Sequence, residues 1–473
     1  MERFAAFQHA NFRRYFAGQV ISSVGTWLQT LAVTWLVLDL TGRSDRLGIA
    51  VALQFLPLLL LGAPAGVLAD RVDNRRLLLM TSAVSAALAV AFGLVVSTGS
   101  TDLGVVYALT LLSGLVLAVE RPAMQALLFQ LVGRDDLPSA VAANSTIMAV
   151  SRLVGPALGG AMVAVTGIAS CFYANAVSYA AVFVALASIS RSQLVARPIS
   201  TAANRNLRAA VSYVQHRPDV RRPLVVMAVV GLVALNFQTT FPSMVRFGFD
   251  RGAGAVGAAM SVSAIGSILG GIYAAGITPN PRRTLALVLV GFGAMLLLFS
   301  AAPNYPTFVL LGIPLGFASA CFQSINTVAV QQATEPSMQG RVMALHQIAW
   351  YGSTPIGALA MGWVIQTTSP RVPFVLGGLA ALACAIALAR AAGRHATGPF
   401  RAPQARTRWH VSSAATSTYD GVRSSAGLDL QNLEADLHDG VLTVRIPVAE
   451  QAKPRKVEVG QGRHSIAHQR GRR

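Results

Sequence analysis

Lysine is almost missing from this chain: of 38 basic residues only Lys453 and Lys456 are lysines, and both lie in the last stretch. Charge of either sign is scarce, at 12% of residues, about half the share typical of soluble domains. A water-soluble globular protein is therefore excluded for most of the 473 residues. Cysteine is equally sparse. Cys171, Cys321 and Cys384 fall within apolar stretches and read as small buried hydrophobes, not as disulfides or metal ligands. There is no Gly-x-x-x-x-Gly-Lys-Ser/Thr nucleotide loop, and no His/Asp/Glu cluster has metal-ligand spacing. ATP-driven transport within the chain, enzymatic chemistry, a metal and a bound cofactor all lose support. The net charge of +19 is not interleaved with aromatics on a soluble domain, so nucleic acid is not an expected partner.

What is present is apolar length. Hydrophobic residues make up 53% of the chain and the mean hydropathy is +0.54. A bilayer-crossing helix needs roughly 20 mostly apolar residues, and twelve such spans can be drawn: 15–40, 47–69, 77–98, 103–131, 139–165, 168–190, 223–245, 253–277, 284–302, 306–330, 342–367 and 372–391. The alternating ten-residue segments of a membrane barrel are absent. The expected fold is an all-α integral membrane protein of twelve transmembrane helices in two six-helix pseudo-repeats, 1–190 and 223–391. A central loop, 191–222, joins them, and a mostly disordered tail, 392–473, follows. The first span exceeds a signal h-region and lacks a small-residue cleavage site, so it is expected to be retained.

Arginine placement orients the chain. With the N-terminus inside, the internal segments carry seventeen arginines and the external loops only Arg43, Arg46, Arg246, Arg251 and Arg371. That positive-inside bias predicts a multi-pass protein of the inner cell membrane with both termini in the cytoplasm. Within the central loop, Leu207-Arg-Ala-Ala-Val-Ser-Tyr-Val214 reads as a short amphipathic element lying at the membrane interface.

The halves carry a faint repeat. Gly66-Val-Leu-Ala-Asp70 with Arg75-Arg76 aligns with Gly271-Ile-Tyr-Ala-Ala275 with Arg282-Arg283, and Gly155-Pro156 aligns with Thr354-Pro355. In the tail, 428–447 alternates apolar and polar residues as a strand does. Together with the terminal Val457-Glu-Val459 it resembles the end of an α-crystallin (small heat-shock) domain over about 428–462. That is too few strands to close a sandwich, since a lone hairpin is marginal in water.

Charges inside the membrane are functional candidates. Glu120 and Arg121 lie well inside span four and Arg152 lies in mid-span five. Consecutive antiparallel helices bring Glu120 within possible reach of Arg152. One reading is a structural ion pair that fixes helix register; the other is a proton-coupling carboxylate biased by neighbouring arginines. Asp39 is a further coupling candidate, although its place at a helix end favours simple solvation. His346 reads as a hydrogen-bonded lone histidine.

Three motifs carry a family resemblance. Gly66-Val-Leu-Ala-Asp70-Arg71-Val-Asp73-Asn-Arg75-Arg76 resembles the loop between helices two and three of major facilitator transporters, with Asp73 where that pattern has its second glycine and Asn74 where it has an arginine. Ser151-Arg152-Leu-Val-Gly155-Pro156-Ala-Leu-Gly159-Gly160 resembles the span-five signature of that superfamily's antiporters, with Ser151 in place of an upstream glycine. With Phe12-Arg-Arg-Tyr-Phe-Ala-Gly18, these most resemble the enterobactin-exporter and macrolide-efflux branch, over residues 4–391.

The resemblance implies a conformational latch formed by Gly66, Asp70, Arg71, Arg75 and Arg76, against the plainer reading of a positive-inside anchor. It implies a bendable helix five at Gly155, Pro156, Gly159 and Gly160, where the proline frees a carbonyl and small residues permit close contact. It also implies a cavity lined by spans one, four, seven and ten, which present Trp27, Gln29, Trp35, Glu120, Asn236, Phe237, Gln238, Phe322, Gln323 and Asn326. Aromatic and amide groups there suit a bulky amphipathic solute such as a siderophore, a macrolide or a drug-like molecule. The expected function is proton-coupled efflux by alternating access, from a monomer in contact with membrane lipid and energised by the proton gradient. A facilitator or importer is the alternative within the class. A non-transporting scaffold that uses its basic loop and tail is the alternative outside it.

Overall fold

The computed structural model describes residues 2–99, 101–195, 207–276, 281–393, 434–438 and 441–445. The described residues up to 393 belong to one compact unit and the strand pair at 434–445 to another. In the first unit the helices are α1 (Ala10–Thr41), α2 (Ser44–Arg71), α3 (Asn74–Ser97), α4 (Leu103–Val132), α5 (Leu137–Thr166) and α6 (Ile168–Ala187). A short α7 (Leu207–His216) leads to α8 (Pro218–Val233), α9 (Phe237–Ser243), α10 (Ala253–Ala275), α11 (Pro281–Ser300), α12 (Tyr305–Ala333), α13 (Gln339–Thr367) and α14 (Val372–Gly393).

Eleven of these segments are long and apolar enough to cross a membrane, with α8, α9 and the π-helical turn Met244–Gly248 counted as one. The twelfth, α13, has the length but carries His346, Gln347, Tyr351 and Gln366. Two short helices at the start and after α6, and the strands β1 (Glu434–His438) and β2 (Val441–Arg445), complete the described elements.

Helix ends follow local chemistry. Asp73 caps α3 by accepting from the Arg76 amide, Asp102 caps α4 from Gly104 and Val105, and Asn304 caps α12 from Thr307. At its other end α1 stops on Gly42, whose φ of 59° lets its amide reach the Leu38 carbonyl.

Packing repeats between the halves. In the first, α1 rests on α5 and α6, α2 on α4, and α3 on α4 and α6; in the second, α8 rests on α13 and α14, α10 on α12, and α11 on α12 and α14. The same pattern twice gives the sequence repeat a structural basis. Each half has its own aromatic core: Phe92 stacks on Phe172 in the first, and Phe241, Phe299, Phe308 and Phe374 cluster in the second. Within the second half, α10 and α12 meet backbone to backbone at glycine. A Cβ at Gly266 would fall on the Ile313 carbonyl oxygen, one at Gly270 on that of Phe317, and one at Gly316 on that of Ser263.

The halves meet along two further crossings, α2 with α13 and α5 with α10. Both close tightly on the face opposite the arginine-rich helix ends. Ser44 Oγ lies 2.9 Å from Ser243 Oγ, and the Ser44 amide donates to Gln366 Oε1. A Cβ at Gly48 or Gly257 would strike the carbonyl of Ala358 or Pro156 respectively.

Three expectations change. Span seven, expected to be continuous over 223–245, is broken between α8 and α9. The Asn236 side chain donates to the Leu232 carbonyl at 2.7 Å and, more weakly, to that of Gly231, while its own carbonyl starts α9 by accepting from Thr239 and Thr240. The amphipathic element 207–214 is present as α7. It docks on the second half, with Tyr213 and Val214 packed against Val220, Leu224, Val330 and Val342. Of the tail, the expected strand alternation appears as the antiparallel pair Glu434↔Arg445 to His438↔Val441. The remainder of the crystallin-like stretch and the expectation of disorder lie outside the described residues, as do 196–206 of the central loop and 277–280 of the Gly271–Arg283 counterpart.

Candidate transport chamber

The α2–α3 junction is built around Asp73. Besides capping α3, its carboxylate lies 3.6 Å from Arg76 and 3.8 Å from Arg191. Arg75 turns to the end of α6 and donates to the carbonyls of Leu186 and Ala187 at 2.8 and 2.6 Å, while Arg14 donates to that of Ser188. Guanidiniums thus satisfy the Ala187 and Ser188 carbonyls and add a second donor to that of Leu186, which also accepts from the Ile189 amide, at a helix C-terminus where the dipole also favours positive charge. Acids or lipid phosphates are not needed as partners for Arg75. Gly66 faces open space, Asp70 is half-buried and Arg71 is exposed.

In α5 the small residues serve two interfaces. A Cβ at Gly155 would collide with Trp27 of α1, and one at Gly159 would press on Leu28 at 3.3 Å. A Cβ at Gly160 would lie 2.8 Å from the Ala253 carbonyl of α10. Pro156 has no amide to offer the carbonyl four residues back, that of Arg152. The motif therefore binds α5 to its own half and to the other half at once.

Two cavities open beside it. The smaller, about 120 Å³, is walled by Thr26, Gln29, Glu120, Arg121, Asn175 and Tyr179, among others. Asn175 donates to Gln29 Oε1 at 2.6 Å and accepts from Ser178. The Arg121 guanidinium sits 5.5 Å from the Tyr351 ring and contacts its hydroxyl at 3.4 Å, which links the halves. The larger, about 470 Å³, lies between the halves, with Trp27 and Arg152 on one side and Ser267, Gln323 and Trp350 on the other. Arg152 is exposed to it and rests 5.7 Å from the Trp27 ring. Trp27 and Met148 border both cavities. Gln238 borders the smaller one and a narrow slot beside Trp27.

Other expected cavity residues are elsewhere. Trp35 is buried beneath the Arg246 guanidinium at 5.3 Å. Phe322 stacks on Phe292 inside the second half, and Phe237 sets its edge against Phe241. Asn326 is buried, donating to the Pro223 carbonyl and meeting His346 Nε2 at 3.1 Å. Asn236 is the helix breaker described above. Asp39 is exposed near the end of α1.

Glu120 and Arg152 are not ion-paired: α5 leans on α1 and α10 and only lightly on α4, so the two side chains serve different cavities. Trp350 and Tyr351, stacked with ring centroids 5.9 Å apart, stand on α13, outside the four spans expected to line the cavity. Their signal was an aromatic pair in an otherwise small-residue stretch. Chemically the site offers one carboxylate, two guanidiniums on aromatic faces, and amide and hydroxyl groups. Among the described residues no three His, Cys, Asp or Glu side chains converge.

The sequence model of the transmembrane secretion effector family of major facilitator proteins matches residues 1–416. The chain is 26% identical to the Staphyloferrin A transporter of Staphylococcus aureus, covering 73% of this chain and 87% of that protein. It is 20% identical to macrolide efflux protein A of Streptococcus pyogenes, covering 79% and 94%. A crystal structure of the nucleoside transporter NupG superposes with a TM-score of 0.64 at 13% identity, over 80% of this chain and 98% of that one, a likeness of fold alone.

Proposed function

Because this chain belongs to the transmembrane secretion effector family of major facilitator transporters, we propose that it exports a bulky amphipathic small molecule by alternating access, in exchange for protons carried on Glu120. It is a multi-pass membrane transporter and not an enzyme. The observation that carries the proposal is the 470 Å³ chamber between two similarly packed halves. That volume suits a drug-sized molecule, and the tight glycine crossings lie to one side of it. Its place between the repeats fits the site that rocking halves expose alternately. The relatives named for siderophore transport and macrolide efflux support a cargo of that size. The arginine distribution supports placing the basic face in the cytoplasm.

Glu120 tests the coupling. In proteoliposomes under an imposed pH gradient, Glu120→Gln is expected to lose gradient-driven transport of a macrolide or dye by tenfold or more, equivalent to about 1.4 kcal/mol. Gradient-independent exchange should survive. Undiminished gradient-driven transport removes Glu120 from this role, and a wild type that ignores the gradient is a facilitator.

The α2–α3 junction is the proposed latch for one conformation, with Asp70 as its acidic member and Ala275 at the corresponding place in the second half. Asp70→Asn should slow turnover while equilibrium binding of the same dye is kept. Equal turnover rates would reduce the junction to a topological anchor.

A further inference from the structure

We infer that the larger chamber selects an anionic amphiphile, its acidic group received by the Arg152 guanidinium and its apolar body held between Trp27 and Trp350. This rests on the reading of that chamber as the cargo site.

Charge is the first observation. Of the twelve residues lining the chamber, Arg152 is the sole charged one. No carboxylate within ion-pair distance neutralises it among the described residues. The membrane-embedded acid of the same half, Glu120, lies in the smaller cavity beside Arg121, so that cavity is formally balanced while the chamber keeps a charge of +1. An uncompensated guanidinium at membrane depth is costly unless water or a ligand answers it.

The mounting of the side chain is the second observation. Arg152 lies over Trp27 and forms no protein hydrogen bond among the described residues, so its donors are directed by stacking and remain available. A guanidinium presents five N–H groups in a planar fork that matches a carboxylate, sulfonate or phosphate with two parallel bonds. Gly155, one turn on, is what admits Trp27 beneath it: any side chain there would displace the indole. The glycine of the span-five motif thus prepares the platform on which the arginine rests.

The remaining wall fits the rest of such a molecule. Trp350 faces the chamber from the other half, and Gln323, Ser324 and Thr327 supply neutral hydrogen-bonding groups. A permanently cationic solute would meet the fixed positive charge in a weakly screened space and find no acid to pair with.

Two xanthene dyes of opposite charge, fluorescein and rhodamine 6G, test this with the purified full chain in phosphatidylcholine nanodiscs. Fluorescence anisotropy should show fluorescein bound at least tenfold more tightly. Arg152→Gln should erase that preference without weakening rhodamine 6G binding, Arg152→Lys should restore part of it, and Arg152→Glu should invert it. A misfolded variant would lose both dyes, so the exchange of preference isolates the charge. Competition by added phosphatidylglycerol would identify a lipid as the natural anion, and lack of competition a soluble organic acid; either result keeps the assignment. Equal affinities in the wild type, or a preference that survives Arg152→Gln, overturn it. Dye transport without anion preference overturns the subsite and leaves the exporter reading. Anion preference without transport does the reverse.

Discussion

Gly257→Leu is expected to give a folded protein that no longer transports. A Cβ at this position would meet the Pro156 carbonyl oxygen and come within 3.1 Å of the Gly160 backbone. On the parallel seam between α2 and α13, a Cβ at Gly362 would come within 2.6 Å of the Ser44 carbonyl. Overpacking of this kind costs about 1–3 kcal/mol. Here the strain has an exit, because the two surfaces belong to different halves, which the proposed cycle requires to separate. The substitution should therefore act on the conformational equilibrium, depopulating the state closed on this face by roughly 5–150-fold. Transport in proteoliposomes should fall at least about tenfold, with little change in thermal unfolding. Ser44 is fully buried at this seam, so Ser44→Cys should react much faster with a membrane-impermeant maleimide in the Gly257→Leu background. Normal transport with a protected cysteine would show that the seam does not control access.

Gly266→Leu should fail in a different way, by loss of the folded protein. Gly266, Gly270 and Gly316 let α10 and α12 touch through their backbones, and a Cβ at each would collide with a carbonyl oxygen. Both helices belong to the same half, and no step of the proposed cycle parts them. A rigid backbone on both sides leaves only distortion of the half itself, at or beyond the upper end of the 1–3 kcal/mol overpacking range. That is a large part of the ~5–15 kcal/mol by which proteins are commonly stable. Membrane-inserted yield and a monodisperse elution profile should both be lost. A Gly266→Leu protein that purifies normally and unfolds at the wild-type temperature would mean that α10 and α12 can separate.

These outcomes also mark what the sequence could tell. The spans were legible to within a few residues because crossing a bilayer demands only length and apolar content. The repeat is legible from the spacing of Gly66 and Gly271 to their paired arginines and from the match of Pro156 with Pro355, and it returns as the same packing order twice. What the sequence hid was rotation about each helix axis. These helices are apolar nearly all round, so no polar stripe marks the side facing a cavity. Hence Trp35 and Phe322, expected as cavity walls, are core, while Trp350 of α13 lines the chamber and Tyr351 meets Arg121. Chain order misled at Glu120 and Arg152: α4 and α5 are consecutive, yet α5 is drawn to α1 and α10 by its glycines. Asp73 stood in plain view as a departure from a motif, three residues before the amide it caps. The break at Asn236 rests on one amide side chain inside an apolar run, which hydropathy averages away.

That break has a further consequence. The outer part of span seven reaches across to the first half, through Ser243 at Ser44 and Arg246 over Trp35. The inner part, α8, stays with α12, α13 and α14. A continuous helix would be a single lever, and any shift at its outer tip would be felt at full strength along its inner length. Jointed at Asn236, it is two levers on one pivot. In the proposed cycle, side chains near the pivot would set how readily the outer segment releases, while those of the chamber, on other helices, would set what is held. The joint would separate the pace of that proposed cycle from the choice of cargo, two properties that an unbroken span would force to change together.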